Sequence, residues 1–251
     1  MPRLGVLIDR PSNSARALAT SLGVKRVRPE RASRLRYLTL VNWGVSTIPA
    51  VHPRTRLINP PEAVRNATDK MLAFSRIPAA YRPRASREPF IPDSGILLAR
   101  RNFLSGGNGI TVVRNGQQAP AADFYVEYVR KSHEYRVHVA FGRVIHVQQK
   151  RKRSGIDQTS DQQLIRNHDN GWVFTEQGIE YPSDPVRDAL HTAAVECVAG
   201  LGLDIAACDM IICRSTNRVV FLESNTRPGL ESTRAIAAYT SAINSASANG
   251  R

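Results

Sequence analysis

Cysteine is scarce: Cys197, Cys208 and Cys213 are the only three in 251 residues. An odd number without metal-site spacing favours free thiols in a reducing compartment over a disulfide framework. Long apolar runs are also missing. The N-terminal LGVLI is too short for the core of a signal peptide, and no window approaches the roughly 18 apolar residues of a membrane span. A cytoplasmic chain, neither inserted nor exported, is expected. The six histidines (52, 133, 138, 146, 168 and 191) form no HExxH or other zinc spacing and read as ordinary surface or strand residues. No Gly-x-Ser-x-Gly elbow occurs, and the cysteines lie in apolar helix or strand contexts, so nucleophilic catalysis by Ser or Cys has little support. Internal repeats and low-complexity tracts are absent.

What is present is a chain 42% hydrophobic, long enough for one large or two small domains with proper cores. Lys and Arg number 35 against 21 Asp and Glu, a net charge of +14. That balance attracts polyanions: nucleic acid, nucleotide phosphates or an acidic substrate. The basic residues are spread along the chain in no zinc-finger, homeodomain or RNP pattern, so a generally basic surface is the plain reading and nucleic-acid binding the sharper one.

The opening RLGVLID reads as a strand, SNSARALATSLG as a capped helix, and VKRVRP and RYLTLVNWG as further strands, together a small α/β unit. The Pro-bearing stretch STIPAVHPRTRLINPPE separates it from the rest, with a boundary near residue 58. PEAVRNATDKMLAFSRI predicts one helix, and AAYRPRASREPFIPDSG a loop. From residue 95 the pattern turns to β: GILLARRNF, GITVVRN and ADFYVEYV, then EYRVHVAFGRVIHVQQKRKR as two strands around Phe141-Gly142. SDPVRDALHTAAVECVAGLG is a helix capped by Ser183 or Asp184, ACDMIICRSTNRVVFLES a hairpin, and STRAIAAYTSAINS a closing helix. Residues 81–94 and 154–180 carry no readable code.

Three stretches carry chemistry. A hairpin turn near Thr216 pairs Asp209 with Glu223, and Asn225, two residues on, projects from the same face. Facing acids repel unless a cation lies between them, and an all-oxygen set suits Mg²⁺ completed by phosphate and water; ion pairs to Arg214 and Arg227 are the structural alternative. The loop SGGNG, Ser105 to Gly109, lets backbone N–H groups approach an anion, although a plain glycine turn fits as well. No Gly-Lys-Ser/Thr follows it and no helix opens after it, so it is neither a Walker loop nor a dinucleotide fingerprint. Alternation groups Glu134, Arg136 and His138 on one strand face, with Lys150 returning beside them unless the register slips by one; a solvated outer face is the alternative. The run KRKR at 150–153 reads as a surface run or a nucleic-acid patch.

Taken in order, these residues resemble a known family. A helix lysine in ATDKMLAF, a basic strand end in LLAR, the glycine hairpin, VEYV, EYRVHV and the closing ESNTRPGLE are similar to the ATP-grasp superfamily, especially its ribosomal-protein glutamate ligases. The likeness spans roughly residues 59–246. It implies an α+β ATP-grasp fold, two subdomains sandwiching ATP, over residues 59–251, preceded by a small α/β domain over 1–58. It implies that Lys70 and Arg100 contact the ATP phosphates and that Ser105, Gly106, Gly107 and Gly109 close over them. Glu127 and the backbone of Tyr128 and Val129 would read adenine, and Glu134 the ribose. Asp209, Glu223 and Asn225 would hold Mg²⁺, or alternatively Mn²⁺, while Arg136, Lys150, Asn167 and Arg227 face the transferred phosphoryl group. The activity implied is ATP-dependent carboxylate–amine ligation through an acyl phosphate, with a carboxylate and an amine as substrates. The alternative is a basic nucleic-acid-binding protein that keeps the fold without the chemistry.

Overall fold

The computed structural model describes residues 4–32, 37–48, 51–104 and 106–248. β1 (Leu4–Leu7) leads into α1 (Asn13–Ser21), which Ser12 caps by accepting a hydrogen bond from the Ala15 N–H at 3.2 Å. β2 (Lys25–Val27), the short α2 (Pro29–Ala32), β3 (Thr39–Asn42) and β4 (Arg56–Ile58) follow. The four strands form a parallel sheet in the order β2-β1-β3-β4. β4 therefore lies inside the Pro-bearing stretch expected to be a plain separator.

Residues 61–77 form two helices where the apolar spacing predicts one. α3 (Pro61–Thr68) stops at Asp69, whose ψ of 107° is extended, and α4 (Lys70–Arg76) starts after it. Two local hydrogen bonds explain the break. The Thr68 hydroxyl donates back to the Val64 carbonyl at 2.7 Å, and the Asp69 carboxylate caps α4 by accepting from Leu72 N–H at 3.0 Å. Lys70 thus enters the first turn of α4, where its backbone N–H has no partner within the helix and donates to Asn102 Oδ1 at 2.8 Å.

β5 (Ala85–Ser86), β6 (Ile96–Arg100), β7 (Ile110–Arg114) and β8 (Phe124–Glu127) make an antiparallel sheet in the order β5-β8-β6-β7. A third sheet, order β11-β10-β9-β12-β13, is built from β9 (Lys131–Ala140), β10 (Arg143–Lys152), β11 (Trp172–Thr175), β12 (Ile205–Cys213) and β13 (Val219–Asn225). The remaining helices are α5 (Ser160–Leu164), α6 (Asp184–Gly200) and α7 (Thr233–Ala248). β5, α5 and β11 all fall in stretches that gave no readable code. Phe141 and Gly142, both left-handed at φ 49° and 74°, turn β9 into β10 as a two-residue hairpin.

Alternation along the third sheet divides its faces. Tyr135, Val137, Val139, Cys208, Met210, Ile212 and Phe221 pack on α6 and α4 in the largest core. Glu134, Arg136, His138 and Asp209 face the other way. His138 is a strand residue as expected, fully buried on β9 with Nδ1 at 3.0 Å from the Tyr239 hydroxyl. A second core joins the two ends of the chain: Tyr239 and Ile243 of α7 pack with Val6, Ala15, Leu18 and Trp43 of the first unit. Asn59, at φ 61°, ties β4 to β12. Its amide donates to Ile205 O at 2.7 Å and accepts from the N–H groups of Asp204 and Ile205 at 2.9 and 3.0 Å.

Candidate active site

Strand register aligns the charged residues. Arg136 on β9 lies directly opposite Asp209 on β12, and Asp209 directly opposite Glu223 on β13. Gln148 on β10 extends the row on the other side of Arg136. Arg136 forks onto Asp209, with Nε–Oδ1 at 2.7 Å and Nη2–Oδ2 at 2.8 Å. Burial works against both charges, yet their attraction outweighs it and holds the Asp209 carboxyl below the usual carboxylate range. Glu223 takes a different cation: Lys70 Nζ stands 3.7 Å from Oε2. The expected alternative pairing of these acids with Arg214 and Arg227 is replaced by Arg136 and Lys70.

A cavity of about 670 Å³ opens between the second and third sheets, lined by Asp209, Glu223 and Asn225 together with Arg100, Glu134, Arg136 and Lys150. The strand face that could have been solvated is therefore a cavity wall. A one-residue bulge between Val144 and His146 sets the register that brings Lys150 back beside Glu134, Nζ–Oε1 2.6 Å. The Phe174 ring lies beneath two cations, 4.1 Å from the Arg136 guanidinium carbon and 4.8 Å from Lys150 Nζ. From the facing sheet comes Arg100, its charge disfavoured by burial and its Nε without a hydrogen-bond partner among the described residues. Lys70 is also depressed by burial, partly offset by Glu223, and holds the carbonyls of Asn102 and Leu104 at 3.1 and 2.7 Å.

The glycine loop is folded onto the segment before β11. Gly106 O accepts from Asn167 Nδ2 at 2.9 Å, and a Cβ at Gly107 would stand 2.8 Å from that nitrogen. Gly107 (φ 80°) and Gly109 (φ 69°) hold left-handed conformations that favour glycine. Ser105 lies outside the described residues. Asn167 also lines the cavity, but its amide serves the loop, and its Oδ1 accepts from Asn170 N–H at 2.8 Å.

Several expected site residues do not line this cavity. Glu127 accepts from Ser94 N–H at 2.8 Å and so closes a loop, and the Tyr128 N–H is given to Ile96 O at 2.9 Å. Val129 occupies the short connection between β8 and β9. Arg227 reaches into the first unit, bonding Trp43 O at 3.1 Å, Gly44 O at 3.0 Å and Asp9 Oδ1 at 2.5 Å, where the chain bends at Thr226 and Arg227. Asn225 Oδ1 accepts from the Arg227 N–H at 2.9 Å. Conversely, Lys131, Arg166 and Trp172 were not anticipated. Lys131, pushed down to about 8 by burial, donates to Leu164 O at 2.9 Å, and Arg166 lies over Trp172 at 4.4 Å. With Tyr128, Arg130, Lys152 and Arg214 they line a second cavity of about 600 Å³ behind the first. A bulge opposite Ile212–Cys213 puts Lys131 on the Glu134 side against plain alternation.

The donors fit a hard divalent cation by chemistry. Two carboxylates and an amide oxygen share one cavity whose other walls are cationic, as suits Mg²⁺ held by few protein ligands and phosphate. Among the described residues no three His, Cys, Asp or Glu side chains group as a metal site, so the amide of Asn225 is needed, and Asp209, with each oxygen accepting one hydrogen bond from Arg136, keeps a lone pair on each for a cation.

The chain matches no protein-family model and no curated protein sequence. Solved structures do match its fold. The ATP-grasp ligase PsnB, complexed with a phosphomimetic variant of its minimal precursor, Mg and ADP, aligns over 97% of this chain and 98% of its own with a TM-score of 0.66 and 13% identity. D-alanine–D-alanine ligase from Bacillus anthracis aligns over 100% of both chains, TM-score 0.63, 10% identity. A RimK domain ATP-grasp protein from Sphaerobacter thermophilus covers 95% of this chain and 98% of its own, TM-score 0.59, 14% identity. The chain has the ATP-grasp fold, an α+β architecture in which a small parallel α/β unit precedes two facing antiparallel sheets.

Proposed function

We propose that the protein is an ATP-dependent ligase that joins a carboxylate to an amine, residues 1–58 forming a small α/β domain and 59–251 the ATP-grasp domain. One observation carries this reading: the row Arg136–Asp209–Glu223 on one wall of the 670 Å³ cavity, faced by Arg100 and capped by a glycine loop. Phosphoryl transfer asks little covalent chemistry of a protein and much positioning and charge neutralisation, which this set of residues supplies. Glu223 and Asn225, with Asp209, would hold Mg²⁺. When bound, that ion would neutralise phosphate charge and orient the γ-phosphoryl group. Arg100, Arg136 and Lys150 would position the phosphates, and Glu134 the ribose. Gly106–Gly109, anchored by Asn167, would keep water from an acyl phosphate until the amine attacks. Arg227, whose Nε and Nη2 bond the first unit, would face the phosphoryl group only after leaving those partners.

The likeness of ESNTRPGLE to the glutamate-ligase branch puts glutamate and acidic peptides first among substrates to screen. PsnB, solved in complex with a precursor peptide, and D-alanine–D-alanine ligase widen the screen to peptides and amino acids. ADP release and product mass are read for each acid–amine pair. Glu223→Ala is expected to abolish substrate-dependent ADP release while the protein stays folded. Full turnover by that variant would overturn the assignment.

A further inference from the structure

We infer that the outer edge of the first sheet is a docking surface for a nucleic-acid backbone, a role separate from ligation. The first 58 residues hold eleven basic side chains and two acidic ones, +9 of the chain's +14, and ten of the eleven are arginine. β2 is the edge strand of that sheet, and Lys25 and Arg26 are exposed on it. The exposed charge continues past the strand with Arg28 and with Arg31 on α2, interrupted by the acid Glu30, and Arg16 is exposed on α1. Among the described residues no ion pair involves Lys25, Arg26 or Arg31.

Lysines on an edge strand serve to block strand pairing, and that role needs one or two charges. Arg16, Lys25, Arg26, Arg28 and Arg31 outnumber Glu30, the one acid among them, and a cluster of like charges is relieved by a polyanion. Arginine forks match phosphate in two-point contacts, and a phosphodiester chain offers such groups at regular intervals along an extended edge. The edge also communicates with the centre of the molecule. The Arg28 guanidinium donates to the Asp9 carbonyl, and the Asp9 carboxylate holds Arg227, two residues beyond Asn225.

The test is fluorescence anisotropy of a labelled 20-nucleotide single-stranded RNA against salt, with the full chain. For single strands each phosphate neutralised contributes about 0.7 to the logarithmic salt slope. The triple variant Lys25→Ser, Arg26→Ser, Arg31→Ser should lower the slope by about 2, so that between 50 and 200 mM salt wild type loses about 20-fold more affinity than the variant. A second variant off the strand, Arg16→Ser with Arg31→Ser, should lower it by about 1.4, or about 7-fold over the same range. Binding of a fluorescent ADP analogue should be unchanged in both, which separates this surface from the cavity. A control, Arg76→Ser with Arg87→Ser and Arg143→Ser, removes three exposed charges elsewhere. An equal loss in the control, absence of salt-dependent binding in wild type, or equal competition by poly-L-glutamate of the same charge would overturn the proposal.

Discussion

Asp209 keeps a charge at 5% exposure because Arg136 grips both of its oxygens. Arg136→Gln would strand that acid in a low-dielectric wall, at a cost of roughly 3–5 kcal/mol. The sign of its pH dependence follows from linkage. With its carboxyl depressed in the folded state, Asp209 contributes stability above the unfolded carboxylate pKa and loses it as pH falls through the folded one. In the variant the carboxyl rises instead, so urea melts should show the penalty at pH 7 and much less of it near pH 4. Cysteine chemistry divides in the same local way. Burial raises Cys197, and takes Cys208 up to about 12. At Cys213 burial also pushes the thiol up, but hydrogen bonds from Ser215 and Thr216 outweigh it and bring it down to about 7. Alkylation by iodoacetamide should therefore label Cys213 alone, with a rate that climbs as pH rises through 7; labelling of Cys208 in the native protein would contradict this.

At the scale of elements the glycine loop offers a controlled comparison. Gly107 and Gly116 share a left-handed backbone, φ 80° and 84°, but a methyl at Gly107 collides with Asn167 and Ile165 while one at Gly116 meets nothing within 4 Å. Gly107→Ala should speed release of a fluorescent ADP analogue several-fold, with Gly116→Ala close to wild type; equal rates would mean that the loop's contact with 165–167 has no role in retention. Glycine spacing made the loop legible in the sequence, but its landing place was not. Asn167 sits in a stretch whose helix and strand are only five and four residues long, too short for periodicity to register. The Asp209–Glu223 pairing follows from the turn only with the help of a bulge: the hairpin sets Met210 opposite Phe221, and one extra residue on β13 then brings Glu223 opposite Asp209. Lys131 was unreadable because a bulge inserts one residue and reverses the alternation. The split between α3 and α4 escaped because Asp69 interrupts the backbone without interrupting the apolar spacing.

Across the whole molecule, the first sheet and the third are held together by Asn59. Asn59→Ala would leave the Asp204 and Ile205 N–H groups and the Ile205 carbonyl without their partner. Each orphaned buried group costs about 1–3 kcal/mol, so the variant should lose more than about 3 kcal/mol in urea unfolding. Asn59→Gly loses the same hydrogen bonds but tolerates φ 61°, and should be about 1 kcal/mol less damaged. Arg227 spans the same divide, bonding Trp43, Gly44 and Asp9 of the first unit from just beyond β13. The packing of α7 on α1 has a temporal side. Trp43, Leu18 and Val6 are translated roughly 200 residues before Tyr239 and Ile243, which cover them. At 5–20 residues per second the nascent sheet waits on the order of ten to forty seconds for its lid, a window in which a chaperone has an apolar surface to hold.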